Sequence, residues 1–309
     1  MRLAFFPKNP QDRDLFLPEF QRANIDCEVF RPSDVWITSN RKYRAGAGPQ
    51  LTISDLQSDK NPDTPFSDFD LIFQRSVPSW NNTYGPDTLQ LFFDVLALAQ
   101  STTHVVNPPL ATLRARRKHV ALSILSQHDI PTVPFYISPS PVRNMNLTTT
   151  ISVPPAVLKP PEGAGGIGVV LARDHETLGD LYSLFHLNRQ TPLTQPYYPT
   201  PSDLRVFVIS NKVIATIKRT GTIYKHNISL GATPEFIPPA KTPKSVSAIA
   251  TKATKLLNLP IAGVDILKSP SQYLILEVNP SPAFSGLSRA SGINVPRRIA
   301  HYIKHCSSA

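Results

Sequence analysis

Cysteine is nearly absent from this 309-residue chain, which holds only Cys27 and Cys306. Two thiols exclude a disulfide framework and any zinc site built on cysteine. Acidic residues are also scarce, with 22 Asp and Glu against 32 Lys and Arg, a formal net charge of +10. That imbalance favours anionic partners such as nucleotides, polyacids, phosphorylated metabolites or nucleic acid, without choosing among them. No apolar run reaches the ~20 residues of a membrane-spanning helix. The opening stretch MRLAFFPKNPQDRD is too short in its apolar part for a signal peptide. A soluble, cytoplasmic protein with no membrane partner is therefore expected. Glycine is sparse too, 13 residues against 32 prolines, and the prolines are scattered between apolar runs, so they stiffen loops without marking a low-complexity tail. What is present is a core: 41% of residues are hydrophobic, with 15 Phe among them, enough apolar surface to exclude disorder.

The first hundred residues alternate strand-like and helix-like stretches. Strands are expected at 3–6, 27–30, 68–74 and 104–106, and helices at 14–23 and 88–100, with a polar excursion or hairpin over 40–65. Such β-α-β alternation indicates a parallel sheet with helices on its faces. One helix over 112–128 is expected next, then an extended segment over 130–137 and a Pro/Ser/Thr-rich connection over 138–155. From residue 156 the pattern changes to strands of antiparallel character at 156–159, 169–172, 204–209, 213–218, 263–267 and 273–278, with helices at 175–187, 243–257 and 295–305. The fold class expected is thus mixed α/β and α+β, with an N-terminal lobe over 1–107, a central lobe over 108–195 and a third over 196–309.

Three patterns carry chemistry. The first is Lys159-Pro160-Pro161-Glu162-Gly163-Ala164-Gly165-Gly166-Ile167-Gly168, a strand ending on a lysine and a loop with four glycines in six residues. Glycines let backbone N–H groups turn toward a ligand at close range, and the lysine supplies a point charge for phosphate. It is not a P-loop, since no G-K-[ST] and no immediate helix follow; the plain alternative is a glycine hairpin. The second is Asp265 in a strand followed by Glu277 and Asn279 in another. Side chains two apart on a strand share a face, so three hard oxygen ligands suited to Mg²⁺ converge if the strands pair; otherwise they are solvated acids. The third is Asp203-Leu204-Arg205, then Lys218-Arg219, then Lys225-His226-Asn227, where arginine suits bidentate contact with carboxylate or phosphate. A basic solvated strand face is the bland reading.

Taken together, and in their order along the chain, the three patterns resemble the ATP-grasp superfamily, and within it the RimK-type α-L-glutamate ligases, over roughly residues 105–302. The resemblance implies an ATP-grasp fold preceded by a parallel-sheet lobe. It implies that Lys118 at the start of a helix approaches ATP, that Lys159 and Gly163, Gly165, Gly166 and Gly168 cover the phosphates, and that Gln195-Pro196-Tyr197-Tyr198 occupy the adenine hinge. It further places Asp203 at the ribose, Arg219 and Lys159 at the transferring phosphate with Asn227 behind them, and Lys225, His226 and Asn227 along the nucleotide. Asp265, Glu277 and Asn279 match the magnesium set, with Mn²⁺ as a substitute metal. Five positions depart from the family pattern: Pro196 replaces an acid in the hinge, Lys225-His226 replace Arg-Ser, Ala283 replaces Gly, and Ser285 replaces Glu. Arg75 matches an arginine of the family's N-terminal lobe.

The activity so implied is ATP- and Mg²⁺-dependent joining of an amino acid, L-glutamate above all, to an anionic carboxylate acceptor through an acyl phosphate. Acceptors compatible with the resemblance are a coenzyme glutamyl tail of methanopterin or deazaflavin type, the acidic C-terminus of a protein, or a carrier protein of lysine biosynthesis; a homo-oligomer is admitted. The alternative of another class is a nucleotide-regulated nucleic-acid-binding protein without ligase activity, which the net charge permits. His301 and His305, four apart on the last helix, lack a third ligand in sequence. The basic run from Arg114 to Lys118 lacks interleaved aromatics.

Overall fold

The computed structural model describes residues 1–38, 50–53, 64–75, 85–140, 154–163, 165–221 and 223–306. The chain forms two compact units. One contains Met1–Thr112, Leu259–Ile261 and the segment from Asn294 onward; the other contains Leu113–Asn258 and Ala262–Ile293.

In the first unit β1 (Arg2–Phe6), α1 (Pro10–Arg22), β2 (Asp26–Val29), β6 (Leu71–Gln74), α2 (Pro86–Ala99) and β7 (His104–Val106) follow the expected alternation. The four strands pair in parallel in the order β2-β1-β6-β7. Helix α1 starts where the sequence supplies a cap: the Asn9 side chain accepts the Asp12 N–H at 2.8 Å and Pro10 occupies the first turn, as favourable helix starts require. Phe16 and Phe20, one turn apart, then meet Phe5 on β1 at centroid distances of 5.5 and 5.3 Å. Fully buried aromatic pairs of this kind dominate the energetics of a small core. Between β2 and β6 lies a small antiparallel sheet of β3 (Val35–Thr38), β4 (Gln50–Ile53) and β5 (Thr64–Pro65). Most of the excursion expected over 40–65 lies outside the described residues. Arg75 closes β6 and forms a buried ion pair with Asp12 at 2.7 Å, which anchors α1 to the sheet. The last helix, Val295–Cys306, packs against α1. On it the rings of His301 and His305 stack at 4.4 Å, and His305 Nδ1 lies 2.7 Å from the His301 carbonyl.

The expected helix over 112–128 is two helices, α3 (Pro109–Arg116) and α4 (Lys118–Ser126). The break falls at Arg117, whose backbone is extended, and the Lys118 N–H donates to Pro161 O at 3.0 Å instead of continuing the helical ladder. Periodicity could not reveal this, because the competing acceptor lies some forty residues away.

The second unit holds two antiparallel sheets. The smaller has the order β10-β8-β9, from β8 (Ala156–Lys159), β9 (Val170–Ala172) and β10 (Leu193–Pro196). Its inner face packs on α5 (His175–Leu187) through Leu178, Tyr182 and Phe185, and Asp174 caps that helix by accepting the Thr177 N–H at 2.7 Å. The larger sheet has the order β13-β12-β11-β14-β15. Its strands are β11 (Ser202–Ile209), β12 (Lys212–Thr220), β13 (Thr233–Ile237), β14 (Ile261–Lys268) and β15 (Tyr273–Asn279), with α6 (Lys244–Leu256) and α7 (Ser285–Ser291) against it. Two strands that sequence reading missed, β10 and β13, are both sheet edges and both carry a proline, Pro196 and Pro234. An edge position is where a missing N–H is tolerated.

Candidate active site

Strand register in the larger sheet brings the charged residues together. Ser210 and Asn211, both in the left-handed region with φ of 48° and 60°, close a two-residue turn whose twist suits a hairpin. The register that follows sets Asp203 directly opposite Arg219. The Arg219 guanidinium holds the Asp203 carboxylate with Nε and Nη2 each at 2.6 Å, and Nη2 lies 3.0 Å from Asp265 Oδ2. Arg205, two residues along β11, clamps Asp265 at 2.7 and 2.6 Å. The result is an alternating chain, Asp203–Arg219–Asp265–Arg205, in which all but the half-buried Arg205 are buried, with His226 Nδ1 3.7 Å from Asp203. Burial alone would raise the Asp265 carboxyl, but the Arg205 and Arg219 guanidiniums hold it far below the usual carboxylate range. Burial likewise opposes the Arg219 charge, and Asp265 and Asp203 overcome it, leaving that guanidinium more firmly protonated than usual.

The glycine loop closes one side of the same cavity. Gly165, Gly166 and Gly168 have φ of 69°, 76° and 72°, a region that glycine alone enters cheaply. Space enforces it at Gly166, where a Cβ would stand 2.7 Å from Asn227 Oδ1. The loop does join two antiparallel strands, β8 and β9, so the hairpin reading is topologically right. Cations nevertheless clasp it: Lys118 Nζ donates to Gly163 O at 3.1 Å and Lys225 Nζ to Gly166 O at 3.2 Å, while Tyr224 Oη donates to Val169 O at 3.2 Å. Glu162 pairs with Arg117 at 3.1 Å and Arg116 at 3.6 Å.

Lys159 ends β8 beneath this loop. It is 5% exposed, and among the described residues no hydrogen bond or ion pair to its ammonium is found. Burial pushes its pKa down to about 8, with Lys118 acting the same way and Glu277 and Asp265 opposing. A buried cation at the foot of a glycine loop, with no partner among the described residues, is suited to receive an anion.

On the far wall, Asp265 pairs in register with Glu277, and Asn279 follows on the same strand. Asn279 Nδ2 donates to Glu277 Oε1 at 3.2 Å, and Glu277 Oε2 lies 3.9 Å from Lys118. The two carboxylates and the amide form a hard-oxygen donor set that fits Mg²⁺. Glu277 is its accessible part, with its side chain 21% exposed, whereas both Asp265 oxygens already receive guanidinium donors. Among the described residues no cluster of three or more His, Cys, Asp or Glu could hold a metal ion.

One cavity is lined by Lys118, Lys159, Gly163, Gly165, Gly166, Gln195, Pro196, Tyr197, Asp203, Arg219, Lys225, His226, Asn227, Asp265 and Glu277. Gly168 and Asn279 stand just outside that lining. Sequence reading missed most of its apolar part, including Val133, Val157, Leu267 and Leu276, while Tyr198 of the hinge is in the lining. Val157 was detectable, since it lies two residues before Lys159 on β8 and therefore shares its face.

Residues 115–303 match the model of the RimK-like ATP-grasp domain. The chain belongs to the RimK-like ATP-grasp family. It is 35% identical over 205 residues to a probable alpha-L-glutamate ligase of Thioalkalivibrio sulfidiphilus (strain HL-EbGR7), covering 64% of this chain and 66% of that protein. To the probable alpha-L-glutamate ligase of Legionella pneumophila (strain Corby) it is 30% identical over 315 residues, covering 98% of this chain and 95% of the relative. Its fold is similar to that of the ATP-grasp ligase PsnB, solved with minimal precursor, Mg and ADP, at a TM-score of 0.69, 17% identity and coverage of 100% and 98%. The chain is thus an ATP-grasp ligase, and the family assignment selects that class over a nucleic-acid-binding protein. No helix among the described residues is long and apolar enough to cross a membrane.

The Lys159 environment of this ligase predicts a pH dependence. Phosphate beside the ammonium favours its charged form, so nucleotide affinity measured by calorimetry in Mg²⁺-free buffer is expected to fall about tenfold between pH 7 and 9 as the group deprotonates. The free protein responds in the opposite sense. Its folded Lys159 binds fewer protons than the unfolded one between about 8 and the ordinary lysine value of ~10.4, so that group's contribution to stability rises with pH across that window. In Lys159→Met, binding is weaker and its pH profile flat; an unchanged slope would remove Lys159 from the phosphates.

Proposed function

We propose that the protein joins an amino acid, L-glutamate, to a carboxylate acceptor in an ATP-driven reaction that releases ADP and phosphate. The observation that carries this reading is the buried Lys159 ammonium beneath the glycine loop, without a partner among the described residues and lining one cavity with Glu277 and Arg219. In the first step an acceptor carboxylate oxygen forms a bond to the terminal phosphorus of ATP as the bridging oxygen leaves with ADP. In the second, the deprotonated amine attacks the acyl carbon, phosphate departs, and an amide remains. Lys159 and Lys118 hold phosphate oxygens, and Arg219 faces the charge that develops on the transferring group. None of the three contacts that Arg219 makes to Asp203 and Asp265 uses its Nη1, which leaves that end for the substrate. Asn227 Oδ1 stands where a Cβ at position 166 would lie, which holds that position to glycine. Glu277 and Asn279, with Asp265, would hold Mg²⁺, which supplies further charge neutralisation among the phosphates when bound. No side-chain nucleophile is required, because positioning and electrostatics account for this kind of catalysis.

The names of the relatives support glutamate as the amine donor. The +10 charge supports an anionic acceptor, either a coenzyme glutamyl tail of methanopterin or deazaflavin type or an acidic protein C-terminus. The test is phosphate release with both families of acceptor, with glutamate present and absent. Release dependent on both substrates, ADP as the nucleotide product, and capture of a hydroxamate by hydroxylamine when the amino acid is withheld are the expected results. AMP and pyrophosphate as main products would overturn the reading.

A further inference from the structure

The last helix of the first unit, Val295–Cys306, carries cations that no acid answers. Its buried positions are Val295, Pro296, Ile299, Ala300 and Ile303, and its exposed ones are Arg297, Arg298, His301, Lys304 and His305. At roughly 100° per residue these five fall on one face, within an arc of about 120°. No acidic residue occurs anywhere in the helix. Arg297 and Arg298 lie in its first turn, where Asn294 Oδ1 accepts the Arg297 N–H at 2.9 Å and Asn294 O accepts the Arg298 N–H at 3.2 Å. The macrodipole disfavours cations there, and no acid stands three or four residues away on the helix to offset them. Every other described arginine of the unit has an acidic partner, as Arg2 has Glu28 and Arg31 has Asp34, whereas no ion pair to Arg297, Arg298 or Lys304 is found among the described residues.

A face of one sign, kept against the preference of its own helix, is suited to an anionic partner. Charge complementarity favours a polypeptide rich in glutamate or aspartate. The stripe from Arg297 to His305 is about 12 Å long, the length of roughly four residues of extended chain, and an acidic segment of that length brings a carboxylate at every residue. No exposed position of the face is Phe, Tyr or Trp, the platform that unstacked bases require. None of these residues lines the nucleotide cavity. We propose that the exposed face of the last helix docks an acidic polypeptide segment of the acceptor. The identity of that occupant rests on the ligase reading given above; the basic face itself does not.

The full-length protein is titrated, by fluorescence anisotropy, with labelled hexaglutamate and with a labelled single-stranded DNA hexamer of similar charge. The test variant is Arg297→Gln/Arg298→Gln/Lys304→Gln. A control, Lys241→Gln/Lys255→Gln/Lys268→Gln, removes the same charge from exposed lysines of the second unit. The wild type should bind the peptide more tightly than the oligonucleotide, and more weakly as salt rises. The test variant should lose about tenfold in peptide affinity, the combined worth of three exposed ion pairs, while its affinity for ADP, measured by calorimetry, stays unchanged. The control should match the wild type. No binding of hexaglutamate by the wild type, undiminished affinity in the test variant, equal losses in test and control, or tighter binding of the oligonucleotide would each overturn the docking surface and leave the ligase reading standing. Peptide binding at this face by a protein that forms no ADP from ATP with glutamate and acidic acceptors would instead overturn the ligase reading, and with it the acceptor as occupant.

Discussion

Arg219→Ala is expected both to abolish phosphoryl transfer and to destabilise the protein, and the two losses have separable causes. The guanidinium is buried between Asp203 and Asp265 and donates to both. Removing it leaves Asp203 in the interior without its guanidinium and Asp265 with Arg205 alone, and breaking a buried pair this way costs about 3–5 kcal/mol. A loss of activity in the alanine variant therefore says little by itself. Arg219→Lys separates the effects. It retains a positive charge between the two acids, so urea unfolding should show a smaller loss of stability. A lysine, however, cannot grip Asp203 with two parallel bonds and still present a third nitrogen to the substrate. Hydroxamate formation from the trapped acyl phosphate should then fall roughly a hundredfold, the usual effect of deleting one donor aimed at developing charge. Wild-type hydroxamate yield in Arg219→Lys would relegate Arg219 to the architecture of the sheet.

The second large effect is expected at Glu277. Asp265 is almost wholly buried and both its oxygens accept from guanidiniums, so the accessible anionic ligand is Glu277, beside the Asn279 amide. Glu277→Gln preserves shape and removes one negative charge. Turnover at ordinary Mg²⁺ should drop by about a hundredfold or more, since loss of a hard anionic ligand weakens the metal where it neutralises phosphate. Raising Mg²⁺ should restore part of it, and thermal stability should hardly change because the side chain is partly exposed and its ion pair with Lys118 is long, 3.9 Å. Full activity at every Mg²⁺ concentration would show that Glu277 holds no metal.

These two predictions differ in how visible their basis was in the sequence. Glu277 and Asn279 could be read together, since a strand repeats every two residues and the pair needs only that local rule. The grip of Arg219 on Asp203 could not, because it depends on the left-handed turn at Ser210 and Asn211 and on an irregularity in pairing at Phe207 and Val208. A slip of one residue there would turn Arg219 to the other face of the sheet. The same holds for Asp265, which reads as a metal ligand in sequence but sits in a bidentate clasp from Arg205, sixty residues earlier.

Local chemistry therefore determined the strands with strong apolar alternation, the glycines confined to a left-handed loop, and the order of charged motifs along the chain. Each depends on neighbours within a few residues, where backbone sterics and side-chain periodicity act directly. Tertiary structure alone decided where the helix expected over 112–128 breaks, that Pro196 and Pro234 lie on edge strands, and that Lys159 is buried in the cavity with no partner among the described residues. Burial and pairing are set by segments distant in sequence, and the free energy of an ionised or polar group depends on those segments far more than on its own neighbours in the chain.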